Sequence, residues 1–562
     1  MQSVLVVVLG LAGMALGWFV YSRFIATKVF RLDPNFVTPA HEFNDGTDFV
    51  PTNRYVLWGH HFTSVAGAAP IVGPAIAVYW GWVPAVLWVT FGTIFFAGVH
   101  DFGALWASSR HKGRSIGALS EAVVGRRTRA LYMVVVFLLL LMVNSVFGVV
   151  IANALVSSPG AVLPAWAAIA VALVIGQLVY RKFNLGVLSI VGVVVLYYSV
   201  YAGSQMPLEL PADMLGLSPQ ANWIIILFVY AAIASMLPVW MLLQPRDFIN
   251  GMQLIVGLVL LYGAVFLFLP DMSAPAFNNR VAESGPSIIP LLFVTIACGA
   301  ISGFHGIVAS GTSSKQLNTE PDARFVGYLG AVGEGTLALI TIVTVSGVAL
   351  AATPEAWYQI YDEFGAAGAG AFITGGAHLI SAGWGLPADI AETLLATMLV
   401  LFAGTTMDSG VRLQRYIIQE WGEIYRIPVL FNGVVATLIA VGCCLLLAFG
   451  AGGASGTGGM IIWPLFGSTN QILAGMTLLV ISVLLIKLGR PARYTLLPML
   501  FVLVMSFLAG LVTLVQFFRD GNYLLVALDV IVLVTSLLVM LEAGSVILAH
   551  RRETRVGAAR SG

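Results

Sequence analysis

Seven ionisable residues stand inside long apolar stretches or at their ends: His60, His61, His100, Asp101, His305, Arg246 and Asp247. A charge at membrane depth is costly, so such groups are functional candidates by default. Histidine titrates near neutral pH, and a neighbouring carboxylate can take up the proton it releases. The set His60, His61, His100, Asp101, His305 and Asp247 therefore reads as a proton relay. Buried pairs that pin helices together are the bland alternative for the same residues. Adjacent His60 and His61 point to different faces of a helix and make a poor chelate, so no metal site is expected.

A second chemistry lies in the backbone. Residues 55–80 are long enough to cross a bilayer, yet Gly67, Pro70, Gly73 and Pro74 fall in the middle. Proline removes a donor and clashes with the preceding turn, which predicts a broken helix. Unpaired backbone at this depth survives only where protein or a water-filled cavity covers it. Broken spans are where secondary transporters hold substrate and ions. Pro238 is expected to interrupt 222–243 in the same way. The substrate site is accordingly placed at Ser64, Gly67, Pro70, Gly73, Met236, Pro238 and Gln244, with a half-helix starting near Val72 aiming its positive end at a carboxylate. Ser310, Thr312, Ser313 and Ser314 offer oxygens to a hard cation, or to a proton in its place, together with carbonyls freed near Ala66. Hydroxyl-mediated helix packing is the alternative. Thr405, Thr406, Asp408 and the run Ser468-Thr469-Asn470-Gln471 are further polar clusters, the last suited to interhelical hydrogen bonds. Glu334, Asp529 and Glu542 stand alone and receive no role.

The elements that must position these groups are membrane helices. Of 562 residues 59% are hydrophobic and 9% charged, against about 25% charged in soluble domains. The net charge of +1 gives no nucleic-acid footprint, and the lipid bilayer is the expected partner. Cys298, Cys443 and Cys444 have neither disulfide nor metal-ligand spacing, and no cofactor is expected. The Gly-rich run at 450–459 lacks a following Gly-Lys-Ser/Thr and does not read as a nucleotide loop.

With about 20 apolar residues per crossing, fifteen helices are expected, at 2–22, 55–80, 82–107, 130–156, 163–180, 185–203, 222–243, 251–270, 288–313, 325–352, 390–411, 428–449, 461–486, 495–517 and 523–549. An outside N-terminus puts every lysine and arginine except Arg280 and Arg519 on the inner side, the bias of cytoplasmic loops. The longest outer loop, 353–389, is expected to be a lid or re-entrant element, or else a passive connector. Helices 55–80 and 222–243 start five spans apart, and an odd number inverts the second copy. This predicts repeats at 55–203 and 222–411, preceded by 1–54 and followed by four helices in 412–562. A rival register pairs 55–80 with 288–313, because Gly303-Phe304-His305-Gly306-Ile307-Val308-Ala309 echoes residues 59–66.

Five stretches carry a resemblance: Gly59 to Pro74, Ala97 to Phe102, Leu237 to Asp247, Ser310 to Lys315, and Trp463 to Gln471. In these the chain resembles the carbon starvation protein A (CstA) family. The resemblance implies uptake of short peptides or pyruvate under carbon limitation, and a five-plus-five inverted-repeat, leucine-transporter-like core of the APC superfamily. In that fold the Ser310 helix would occupy a sodium-site position. The expectation is an all-α polytopic proton symporter of the inner (plasma) membrane, without enzymatic activity, whose C-terminus is cytoplasmic. A sodium-coupled carboxylate or amino-acid symporter, a nutrient sensor and a channel are the alternatives.

Overall fold

The computed structural model describes residues 2–561 apart from 47, 213, 239–240, 283–284 and 454–457. Every regular element among them is a helix, with two isolated bridges, Thr52 to Leu317 and Met272 to Gly347. Thirteen helices are long and apolar enough to cross a membrane, or fourteen with one bent pair counted as a span. In chain order they are α1 (Gln2–Val29), the bent pair α2 (Arg54–Val65) and α3 (Ala69–Trp80), α4 (Trp82–Ser109), α5 (Arg126–Ser157), α6 (Pro159–Tyr180), α7 (Gly186–Gln205), α8 (Pro219–Met236) and α9 (Leu243–Phe268). After them come two short helices, α10 (Ile288–Thr295) and α11 (Gly303–Gly311), then α12 (Arg324–Ser346). A further two, α13 (Pro354–Ile360) and α14 (Ala369–Trp384), precede α15 (Ala388–Tyr425), α16 (Gly433–Gly452), α17 (Gly458–Lys487), α18 (Arg493–Arg519) and α19 (Tyr523–Ser561). Helices α5, α12, α15 and α17 are the most buried and form the centre.

The expected break near Gly67 is present, but it is confined to residues 66–68, where α2 and α3 meet at 52°, and the second half starts at Ala69 and not near Val72. Ala66 leaves helical geometry, and Pro70 falls in the first turn of the second half, where its missing N–H costs nothing. The other expected break is not where Pro238 suggested. Helix α8 ends at Met236, Leu237 is extended as a residue before proline must be, and α9 starts afresh at Leu243. Pro238 terminates a span instead of interrupting one. The second interruption falls within the expected 288–313 helix, which is the departure from the count of fifteen. Residues 296–302 are unwound between α10 and α11, with Gly299 at φ +91°.

The two interrupted helices pack side by side in opposite directions. A methyl at Gly73, early in α3, would lie 2.5 Å from the Thr295 carbonyl oxygen at the end of α10. Gly299 comes within 3.6 Å of Pro70 by the same measure. At the other end, His61 in α2 sits 2.9 Å from Ser313 just past α11. The second half of each therefore borders the first half of the other.

The expected lid region, 353–389, carries α13 and α14 and packs along α3. Tyr361 donates to the Ala75 carbonyl at 2.8 Å, stacks on buried Trp357 at 4.4 Å, and Arg280 covers Tyr358 at 3.6 Å. Helix α14 then turns at Gly385, in left-handed geometry, into α15. This is a built element and not a passive connector.

Close approach at Gly73 gives the fold's own test. Gly73→Ala drives a methyl into a carbonyl that cannot rotate away, and overpacking of this kind costs about 1–3 kcal/mol. Gly59→Ala meets nothing within 4 Å. The melting temperature of purified protein should fall for Gly73→Ala and hold for Gly59→Ala.

Candidate functional site

The sequence's relay residues separate into two buried clusters. In the first, Asp101 of α4 accepts from two imidazoles: His100 Nδ1 at 2.7 Å and His305 Nδ1, from α11, at 2.8 Å. The opposite nitrogen of His305 lies 3.1 Å from Glu334 Oε2 of α12. All four side chains are buried to 1% exposure or less. His305 Nε2 and both Glu334 oxygens form no aligned hydrogen bond, so one unshared proton position sits between α11 and α12. The other titratable neighbours are His61 of α2 and Cys298 in the unwound stretch. Glu334 is the residue that sequence reasoning left without a role. Its signal was a lone carboxylate in an apolar span, and only the fold reveals its partner.

Cys298, His305 and Glu334 also bring donor atoms within 4.8 Å of one another, a set able to take a transition-metal ion. The Cys298 thiol already donates to Ser302 and accepts from Asn470, at 3.3 and 3.4 Å. The remaining imidazole–carboxylate contact is the one to which we assign chemistry.

In the second cluster Arg246 at the start of α9 pairs with Asp408 of α15 and donates to the Tyr230 hydroxyl at 2.7 Å. Tyr230 donates to the same Asp408 oxygen at 2.8 Å. His60 approaches Asp247 at 3.8 Å, an ion-pair contact if the imidazole is protonated. Further along α9, Asn250 donates to Thr405 at 2.8 Å, and Gln253 is buried with no partner. Arg246, Asn250 and Gln253 recur at helical spacing on one face of α9. That polar stripe was visible in the sequence and was passed over.

Side chains from neighbouring helices reach the unwound stretch 296–302 and the residues that flank it. Trp88 donates to Ile296 O at 3.2 Å, Thr93 to Gly299 O at 3.0 Å, and Gln471 to Phe293 O. Asn470 accepts the Phe304 N–H at 3.0 Å and so caps α11. By contrast, among the described residues, no side-chain donor reaches the carbonyls of Ser64, Ala66 or Gly67.

The described residues among those expected to hold substrate fall in different surroundings. A methyl at Gly67 would meet Thr406 Oγ1 at 2.7 Å and the Phe147 ring at 2.8 Å, so the space there is filled. Ser64 is half-buried, and Pro70 and Gly73 are buried in the contact between the two breaks. Met236 and Pro238 are exposed at the end of α8, and the Gln244 side chain lies outside the described residues. Of the expected cation ligands, Ser310, Ser313 and Ser314 are buried together. Ser310 donates to Gly306 O at 2.6 Å and accepts from Ile116 N at 2.9 Å, and Ser314 donates to Ser310 O at 2.9 Å. Thr312 is exposed, and Ala66 is buried at the other break, next to Gly67.

Comparisons with known proteins follow the same lines. The sequence model described as carbon starvation protein CstA matches residues 2–355 and 344–509. A peptide transporter CstA of Campylobacter jejuni is 33% identical over 566 residues, covering 90% of this chain and 79% of that protein. The pyruvate/proton symporter BtsT of Escherichia coli K12 is 32% identical over 547 residues, covering 84% and 75%. Among solved structures, a manganese transporter of Eremococcus coleocola aligns over 91% of this chain and 99% of its own at a TM-score of 0.47 and 12% identity, too loosely to argue from.

Asp101 holds two buried imidazoles, and removing one partner of a buried charged pair costs about 3–5 kcal/mol. Asp101→Ala should therefore lower the melting temperature more than any other single substitution in the cluster. Ser313→Ala removes one bond to His61 and should cost about 1 kcal/mol. Thermal unfolding of the purified variants measures both.

Proposed function

Because this chain belongs to the carbon starvation protein CstA family, we propose that it is a secondary transporter carrying a small carboxylate-bearing nutrient, a short peptide or pyruvate, inward together with protons. The observation that carries the proton reading is His305 set between Asp101 and Glu334, on a segment of an interrupted helix. With one proton between His305 Nε2 and Glu334, the contact is attractive, whichever of the two formally holds it. Without that proton, a ring lone pair faces a carboxylate and the contact repels. Loading and unloading it therefore changes the free energy of holding α11 against α12, which is what a two-state element needs. Asp101 stays charged in both states as the acceptor for Nδ1, keeping the ring oriented.

In this reading the two interrupted helices, seven spans apart and antiparallel, begin two inverted repeats, with α8 and α9 inserted between them. The first break, whose carbonyls lack side-chain donors, is free to rearrange, and α11, beyond the second break, is the element whose hold on α12 the proton changes. The membrane is the inner (plasma) membrane, the N-terminus lies outside and the C-terminus in the cytoplasm, supported by the lysine and arginine bias.

Glu334→Gln keeps a donor opposite His305 but cannot cycle a proton. In proteoliposomes this variant should exchange labelled substrate for unlabelled while losing accumulation driven by an inward-directed proton gradient. Pyruvate and dialanine serve as substrates. Parent-like accumulation by Glu334→Gln would contradict the proton reading. For orientation, a cysteine at exposed Leu208 should react with an impermeant maleimide on whole cells, and one at exposed Lys112 should not. The reverse pattern would invert the chain in the membrane.

A further inference from the structure

The Arg246 guanidinium is 2% exposed, and only one of its nitrogens is used. Nη1 meets Asp408 and Tyr230, whereas Nε and Nη2 are buried without a partner. The Nε and Nη2 hydrogens lie on one edge of the planar group, the side-on fork that takes a carboxylate through two parallel bonds. Leaving such donors unmade inside a protein is costly. Helix pinning needs the Asp408 contact alone and does not account for an empty fork.

Arg246 lines a pocket with Ile151, Trp166, Tyr230, Gly404 and Met407, between α5, α6, α8, α9 and α15. The remaining walls are aliphatic. A methyl built at Gly404 would meet nothing within 4 Å, so the glycine leaves open space on the α15 side. One cation with two unpaired donors lining an apolar cleft has the make-up of a small-molecule site. No carboxylate lines this pocket, so a ligand's ammonium group would be left unpaired there. We propose that this pocket binds a small monocarboxylate without an ammonium group, its carboxylate on the Nε–Nη2 edge of Arg246 and its short apolar body against Ile151, Trp166 and Met407. The choice of ligand rests on the transporter reading above. The site differs from the one that the broken helix suggested, where the room at Gly67 is already taken by Thr406 and Phe147.

The test is equilibrium binding of labelled pyruvate to the purified full-length protein, with melting temperature recorded alongside. Gly404→Leu fills the pocket from a helical position that tolerates leucine and leaves Arg246 and Asp408 intact. It should weaken pyruvate binding at least tenfold without lowering the melting temperature. Arg246→Gln should do the same to binding, though it strands Asp408 and can lose stability as well. Methyl pyruvate, with the same body and no charge, should not compete. Parent-like binding by Gly404→Leu, competition by methyl pyruvate, or no pyruvate binding by the parent would each overturn the proposal. Tighter binding of dialanine than of pyruvate would overturn its ligand class. Binding needs no proton gradient. A parent that binds pyruvate yet never accumulates it would sink the proton-coupled reading and leave this site standing.

Discussion

No water reaches the hydrocarbon core to satisfy an unwound backbone, so every break in a membrane helix must be covered by protein. Two such breaks, at 66–68 and 296–302, lie against each other, and much of the surrounding structure is arranged to cover them. Trp88 and Thr93 from α4 bond two carbonyls of the second, and Asn470 and Gln471 from α17 bond the residues that flank it. Close approach at Gly73 and Thr295 holds the first against it.

Placing α11 after a break also places His305. A continuous helix would carry this imidazole through the membrane as part of one rigid rod, whereas here it sits on the separate nine-residue α11. Its ring joins α4, through Asp101, to α12, through Glu334. A single proton at that junction changes the interaction between separate helices, so chemistry and movement share the same few atoms. The Arg246 cluster lies on other elements, α8, α9 and α15, and His60 of α2 reaches it through Asp247.

Much of this was legible in the sequence, and the remainder failed for identifiable reasons. Composition and charge bias suffice to read a polytopic helical chain, and Pro70 with Gly67 and Gly73 marks the first break. Pro238 misled because a proline signals only that a helix cannot continue, not whether the chain resumes along the same axis. The second break contains no proline among residues 296–302, and the sequence pointed to that span only through the rival register that paired 288–313 with 55–80. His305 and Asp101 were recognisable as costly buried groups, but Glu334, equally costly, lacked a neighbour in sequence. Long-range partners of this kind are set by how α11 and α12 pack, which no local pattern encodes. The serines at 310–314 looked like an ion cage. Ser310, Ser313 and Ser314 are hydrogen-bonded to Gly306 O, Ile116 N, His61 and the Ser310 carbonyl.

The central claim is that substrate and proton are taken up together through the His305–Glu334 contact. Proton uptake on substrate addition, followed with a pH-indicator dye in weakly buffered solutions of purified protein, tests it most directly. The parent should take up protons in proportion to bound substrate, and Glu334→Gln should bind substrate with no uptake. Equal uptake by Glu334→Gln and parent would place the coupling proton elsewhere and contradict the account.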